Sequence, residues 1–423
     1  MARLLLIAPT CDGEDVGEAW IAHQWAHRLA RRHEVTLLTY HKRGAKPASQ
    51  QLPGLEVIEW REPPLLGRAE RLNSMLKPAY IPFYFRARRW IRAALAGGRR
   101  FDLAHQPVPV AMRYPSPAAG LGIPLVIGPV GGGLSSPRSF EADESSTPWF
   151  VNLRRLDRHR QRWDPLLRRT FGEADCILGI AAYVEEQLAP ISPRRFEVVP
   201  DTALDLLPDP IERSGRRGPL RLLFVGRLVR TKGVRDAIKA MALMPELPVR
   251  LDIVGEGPER AACETLITQA GLAGRVTLHG WHGRADVARF YREADIFVFP
   301  SYREPGGTVV MEAMGFSLPL IVVDRGGPGS NTTNDCAIKL PVTTPQALAH
   351  DIADAIRRLA ADEPLRLKMG AAARMHVAQT GLWSAKLDRM DTIYAEIMQG
   401  RPEMMPAAPM QSSPPRRHGA ANP

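Results

Sequence analysis

The sequence predicts an α/β protein built from two doubly wound, Rossmann-like domains. Three observations carry that prediction. Short apolar runs alternate with amphipathic stretches of ten or more residues, first in one half of the chain and again in the other. A segment rich in proline and glycine, with Pro208, Pro210, Gly215 and Gly218, separates the halves. The 423 residues are also enough to fill two cores.

In the first half, residues 4–8, 35–39, 125–127 and 176–180 read as strands, and residues 19–31 as a helix after the first of them. In the second half the strand candidates are residues 221–225, 250–254, 276–278, 296–299 and 320–323. The expected domains are therefore 1–200 and 220–380, joined by a linker at 201–219. The amphipathic stretch at 381–399 is expected to pack back across the junction. Residues 400–423, rich in Pro, Ala and Ser and without apolar period, are expected to be disordered.

Composition narrows the class. No apolar run approaches the ~20 residues that span a bilayer. Residues 4–8 are too short for the apolar part of a signal peptide, and Pro9, Asp12 and Glu14 follow at once. Cys11, Cys176, Cys263 and Cys336 are scattered, with neither metal-ligand nor disulfide spacing, which suits a reduced, cytoplasmic setting. The net charge of +11 is uneven, and residues 1–200 carry 28 Lys/Arg against 20 Asp/Glu. Much of that excess lies between Arg68 and Arg100, where nine basic residues meet the single acid Glu70 and interleave with Tyr80, Ile81, Phe83, Tyr84, Phe85, Trp90 and Ile91. Such a mixture suits an anionic membrane surface, at the inner face of the membrane, or else a solvated helix face over core aromatics. No binding module for nucleic acid accompanies it, so nucleic acid is not an expected partner.

The chemistry concentrates at strand ends, where an open α/β sheet binds its ligands. After residues 296–299 the chain reads Pro300-Ser301-Tyr302-Arg303-Glu304-Pro305-Gly306-Gly307-Thr308 and enters a helix that carries Glu312. Gly306 and Gly307 let the backbone approach a ligand, and a helix start suits a phosphate. Two carboxylates thus bracket a phosphate site. A second cluster, Gly226-Arg227-Leu228-Val229-Arg230-Thr231-Lys232-Gly233, places Arg227 and Lys232 at a sheet rim. They can neutralise a diphosphate, although alone they read equally well as solvated charges. Gly255-Glu256-Gly257-Pro258 and Gly326-Gly327-Pro328 form further glycine turns. In the first half, the loop carrying Gly17 and Glu18 and the stretch 128–133 follow strands. His105 ends a short apolar run, where it can meet a substrate hydroxyl or stay in the core. No Gly-x-Gly-x-x-Gly follows the first strand, no Walker-type loop occurs, and no Asp-x-Asp is present to hold a metal–nucleotide complex.

Taken together, these motifs resemble the retaining glycosyltransferases of the GT-B fold, in particular glycosyltransferase family 4 (group 1). Glu304 and Glu312 match the family's Glu-x7-Glu, Gly226 to Gly233 its Gly-Arg-x4-Lys-Gly, and both later glycine turns match as well. The resemblance implies two domains facing a central cleft, a nucleotide-sugar donor, a saccharide or glycolipid acceptor, and no cofactor or metal. It implies that Arg227 and Lys232 bind the donor diphosphate, that Glu304 contacts donor-sugar hydroxyls, and that Glu312 contacts the ribose. It also implies that Gly226, Gly255, Glu256, Gly306, Gly307 and Thr308 line the donor site. His105 would approach the donor sugar, and Gly17 and Glu18 would line the acceptor side. Where many members read Gly-Phe-Gly after the first glutamate, this chain has Pro305-Gly306-Gly307, and its first loop lacks the common Gly-Gly pair. The loop Gly17-Glu18-Ala19-Trp20 and the stretch 128–133 are similar to a bacterial subgroup associated with surface polysaccharide or glycolipid assembly. Two other functions share the fold: a nucleotide-sugar epimerase, and a nucleotide-sugar-binding partner without activity.

Overall fold

The structure, a computed structural model, describes residues 1–15, 17–63, 77–141, 160 and 162–400. Residues 68–76 of the basic stretch and residues 401–423 of the expected tail lie outside these.

Among the described residues, two parallel sheets organise the chain, in keeping with the predicted α/β class. The first has the order β3-β2-β1-β4-β5-β6-β7. Its strands are β1 (Arg3–Thr10), β2 (Glu34–His41), β3 (Glu56–Arg61), β4 (Leu103–Gln106), β5 (Leu125–Val130), β6 (Cys176–Gly179) and β7 (Phe196–Val198). The second has the order β10-β9-β8-β11-β12-β13. It contains β8 (Leu220–Val225), β9 (Val249–Val254), β10 (Val276–Gly280), β11 (Ile296–Phe299), β12 (Leu320–Val323) and β13 (Ala337–Leu340).

The central strands are mostly apolar because helices cover both faces of a parallel sheet. In β1, Leu4, Leu6 and Ala8 face one hydrophobic cluster while Leu5 and Ile7 face another. That is the two-residue period of a strand. The strand order reverses at β1, which lies between β2 and β4, and at β8, which lies between β9 and β11. Such reversals open a crevice beyond the strand ends, and the loops after β1, β4, β8 and β11 border it.

The chain passes between the sheets twice at one place. It crosses at residues 199–204 and returns at 381–383, where Leu204 N–H donates to Gly381 O at 2.8 Å and Trp383 N–H to Leu204 O at 3.0 Å. The helix Trp383–Gln399 then buries Trp383, Leu387, Met390, Ile393, Tyr394 and Ile397 in the core of the first sheet. The short helix Arg138–Glu141 does the reverse, with Phe140 seated in the second core 4.4 Å from the Tyr302 ring.

Helix Tyr80–Ala96 divides the aromatics of the basic stretch. Tyr80, Phe83, Tyr84, Ala87 and Ile91 are buried, while Ile81 and Phe85 are 65% and 63% exposed. All four cysteines are free and buried. Among the described residues no helix is long and apolar enough to cross a membrane.

One buried ion pair shapes the loop after β8. Arg230 lies in the turn Arg230–Lys232, and its Nη2 meets Asp236 Oδ1 at 3.1 Å. Both side chains are almost wholly out of solvent, and the Arg230 guanidinium lies 5.7 Å from the centres of both the Phe140 and the Tyr302 ring. Removing one partner strands the other charge in the core. Asp236→Ala is therefore expected to cost about 3–5 kcal/mol, read from urea unfolding of the full chain. A loss below about 1 kcal/mol would contradict this account of the loop.

Candidate active site

The site is assembled from the two loops at the switch point of the second sheet. After β8, Gly226 leads to Arg227, and a 3₁₀ turn carries Lys232 toward the end of β11. After β11, residues 300–307 turn into helix Thr308–Gly315. Gly307, at φ 88°, caps that helix in the left-handed region where a side chain would be strained. The unpaired N–H groups of the first helical turn open on the crevice.

The loop is held from behind. Gly327 N–H donates to Glu304 O at 2.9 Å, and Asn331 Nδ2 donates to Gly306 O at 3.1 Å. A Cβ on Gly327 would lie 1.9 Å from Gly306 O, so only glycine permits this approach. In front, Lys232 Nζ and Glu304 Oε2 form an ion pair that is mostly out of solvent. The ammonium also lies 5.5 Å from the centre of the Phe299 ring. Burial, followed by the like charges of Arg227 and Arg303, pushes the Lys232 ammonium down to about 8.

Facing these loops across a cavity of about 2030 Å³ are Glu18 at the start of helix Glu18–Leu29, Tyr183, the Gly131–Gly133 turn and Asp201 at the crossing between sheets. Glu18 is ion-paired with Lys77. Tyr183 Oη accepts the Gly132 N–H at 3.1 Å. The walls touch where Arg325 Nη2 donates to Ser135 O at 2.7 Å and Arg303 Nη1 to Ser136 Oγ at 3.1 Å.

Of the residues singled out from sequence, Glu18, Gly226, Arg227, Lys232, Glu304, Gly306, Gly307 and Thr308 line this cavity. His105 does not reach it. In β4 its side chain is wholly buried, with Nε2–H donating to Gly128 O at 2.6 Å and Nδ1 accepting from Tyr394 Oη at 2.7 Å. Burial pushes it down to about 4, so it is a neutral clamp between β4, β5 and the C-terminal helix. Gly255 packs behind the site, where a Cβ would lie 1.9 Å from Gly226 O. Glu256 turns to solvent and pairs with Arg260. Gly17, at φ 68°, caps the helix that presents Glu18. Glu312 sits one turn inside helix Thr308–Gly315, half-buried, with Oε2 accepting from Tyr291 Oη at 3.1 Å.

Sequence reasoning missed several residues at the site. Asp201 was assigned to a linker by its proline-rich surroundings, and Lys386 to an amphipathic helix face. Lys386 is fully buried, and its Nζ donates to Pro200 O at 2.6 Å and to Thr202 O. Thr202 Oγ1 in turn lies 3.0 Å from Thr308 Oγ1. A buried lysine on an otherwise apolar helix stripe is the one signal that marked this junction.

Comparison with known proteins agrees with this layout. The family model for a glycosyl transferase 4-like domain matches residues 16–202, and that for glycosyl transferases group 1 matches residues 211–376. The chain is 31% identical over 188 residues to the D-inositol 3-phosphate glycosyltransferase of Arthrobacter sp. (strain FB24), covering 43% of this chain and 44% of that one. It thus spans less than half the length of that relative. Sucrose-phosphate synthase from Thermosynechococcus elongatus superposes with a TM-score of 0.63 at 21% identity, over 95% of this chain and 100% of the other. An Anabaena protein, Alr3699/HepE, crystallised in complex with UDP, superposes with a TM-score of 0.60 at 18% identity, over 94% and 100%. Two successive family matches and the GT-B architecture lead to one conclusion: the chain belongs to the group 1 glycosyltransferases.

Proposed function

We propose that the protein is a retaining glycosyltransferase, moving a sugar from a nucleotide-sugar to an acceptor hydroxyl. The observation that carries this reading is the Lys232–Glu304 ion pair, set beside Arg227 and an open helix N-terminus at the switch-point cleft. A diphosphate fits the two cations and the N–H groups of the helix start, so its arrival frees Glu304 to take hydroxyls of the attached sugar. Glu312, oriented by Tyr291, is assigned the ribose hydroxyls. The UDP bound by the Anabaena protein and the name of the Arthrobacter relative support a nucleotide-sugar donor and glycosyl transfer.

In the reaction, the bond between the anomeric carbon and the diphosphate breaks and a bond to the acceptor oxygen forms on the same face. The proton of the acceptor hydroxyl passes to a diphosphate oxygen. Arg227 and Lys232 stabilise the charge that grows on the departing group. An epimerase would need no acceptor, and a silent partner would bind donor without turnover.

The finer part of the proposal is an acceptor carried on an anionic lipid surface. Its support is the outer face of helix Tyr80–Ala96, where exposed Ile81 and Phe85 adjoin exposed Arg86 and Arg89.

Three outcomes test this reading. With a panel of nucleotide-sugars and saccharide acceptors, the purified chain releases free nucleotide. Glu304→Ala abolishes that turnover, and Arg227→Met lowers kcat by about 10²–10³-fold. A fully active Glu304→Ala would remove Glu304 from the mechanism. The second outcome concerns pH. Lys232 binds the diphosphate as a cation, and its proton is lost as pH rises through about 8. Donor Kd measured by calorimetry should therefore rise between pH 7 and pH 9, and Lys232→Arg should flatten that dependence. A flat wild-type profile would contradict the role of Lys232. Finally, the chain should co-float with anionic liposomes at low salt, and Ile81→Ser with Phe85→Ser should weaken flotation. Absence of flotation rules out the lipid surface.

A further inference from the structure

We propose that Asp201 is an acceptor-binding residue, receiving a hydrogen bond from a hydroxyl of the acceptor at the floor of the cleft. The inference rests on the glycosyl-transfer reading and names the carboxylate that the acceptor meets. No sequence motif marks Asp201.

Its position makes the case. Asp201 lies in the first crossing between the sheets and lines the same cavity as Glu304 and Lys232. Its Oδ1 is directed at the donor loop, 3.4 Å from where a Cβ on Gly306 would sit. Glycine at 306 therefore leaves the space between the carboxylate and the loop open. Its neighbour Thr202 is bonded to Thr308 at the start of the donor helix, and Lys386 grips the carbonyls on either side of Asp201. Hydrogen bonds from the backbone N–H groups of Asp201 and Thr202 hold the carboxylate at the cavity wall.

The surroundings select the ligand chemistry. Burial raises the Asp201 carboxyl above the ordinary carboxylate range. Lys386, whose ammonium is turned to the two carbonyls, and the backbone hydrogen bonds from Asp201 and Thr202 oppose this shift, and Glu18 on the facing helix raises it further. Tyr183, from the helix Tyr183–Leu188, feels the same negative charge. Arg113, Arg162 and Arg168 also line this side of the cavity and Glu18 is paired with Lys77, so it is the Asp201 carboxylate itself that disfavours an anion beside it and accepts hydrogen bonds from neutral hydroxyls. The end of the acceptor that enters here is a sugar ring or another polyol, presented edge-on to Asp201. A desolvated carboxylate held in a cleft has a cost for folding and a use in binding.

The test uses the full chain and the donor that releases nucleotide in the panel above, with methyl glycosides and inositol as acceptor probes. Asp201→Asn should keep donor Kd and raise acceptor KM at least tenfold. It should melt at or above the wild-type temperature, because the raised carboxyl makes the charged form a burden to the folded state at pH 7. In the wild type, kcat/KM should fall as pH drops through a value above the ordinary carboxylate range, and Asp201→Asn should lose that acid limb. The other titrating groups facing Asp201, namely Glu18, Tyr183, Lys386 and the Lys232–Glu304 pair, are common to both proteins. An unchanged acceptor KM with an unchanged acid limb overturns the inference while leaving the transfer reading intact. A lowered melting temperature with donor binding lost in parallel overturns it in favour of a structural role, and Asp201→Ser provides the same comparison should the asparagine variant not fold. A wild-type chain that turns over no donor overturns the transfer reading, and this inference with it.

Discussion

The geometry of the cleft depends on one buried ammonium. Lys386 Nζ binds the carbonyls of Pro200 and Thr202 and lies 4.6 Å from the centre of the Trp383 ring and 5.6 Å from that of Trp25. Taking an ammonium out of water is expensive, and burial pushes Lys386 down to about 7. Two carbonyl acceptors and two indole faces offset that cost. Because this lysine belongs to the returning helix and its acceptors to the outgoing crossing, the contact ties together both passages of the chain between the sheets. The angle between the walls is set there, and Thr202 relays it to the start of the donor helix through Thr308.

The donor wall has the opposite character. At the hinge the charge is committed to fixed carbonyls, whereas at Lys232 it is paired with a side chain that has work elsewhere. The Lys232–Glu304 pair satisfies two partly buried charges while the cleft is open. Left unpaired, either one would destabilise the loop. In the proposed transfer a diphosphate would replace the carboxylate as partner of the cation, and sugar hydroxyls would replace the cation as partners of the carboxylate. Each substitution exchanges one strong polar contact for another, so the loop need not reorganise to bind. The helix Gly326–Ser330, packed against Glu304 O and Gly306 O, keeps the backbone still during the exchange.

The sequence was most legible where apolar runs are continuous. Residues 296–299 and 320–323 were read to the residue, because strands covered on both faces show only side chains that avoid water. Other strands escaped: at the edges β3 mixes charged and apolar residues and β7 has three residues, and in the centre β4 is four residues long and ends on His105 and Gln106. Local motifs told of Arg227, Lys232 and Glu304, but not that Lys232 would meet a carboxylate 72 residues away. His105 was misjudged for a related reason. Its strand supplied the correct neighbourhood, but which face a side chain takes depends on register, and β4 turns it toward Trp25 and Tyr394. Gly255 and Glu256 show how a glycine turn can serve packing: the glycine admits a neighbouring backbone and the glutamate faces solvent. Asp201 and Lys386 were hidden because their significance arises only when residues 200–202 and 386 are brought together.

Both sides of the cleft carry charge of both signs. Arg227, Lys232, Arg325 and Lys339 lie with Glu304 and Asp324 on the walls contributed by the second sheet, while Arg113, Arg162 and Arg168 join Asp201, Glu18 and Tyr183 on the floor and the facing wall. In the proposed transfer, orientation is local: a phosphate is favoured beside Arg227 and Lys232 and disfavoured against the Asp201 carboxylate. The bond that changes partners in that transfer would lie between a leaving anion and an entering hydroxyl, near Gly306, where a Cβ would sit 3.4 Å from Asp201 Oδ1. The identity of the sugar is left to contacts around Pro305-Gly306-Gly307, where this chain has no aromatic side chain to fill the space.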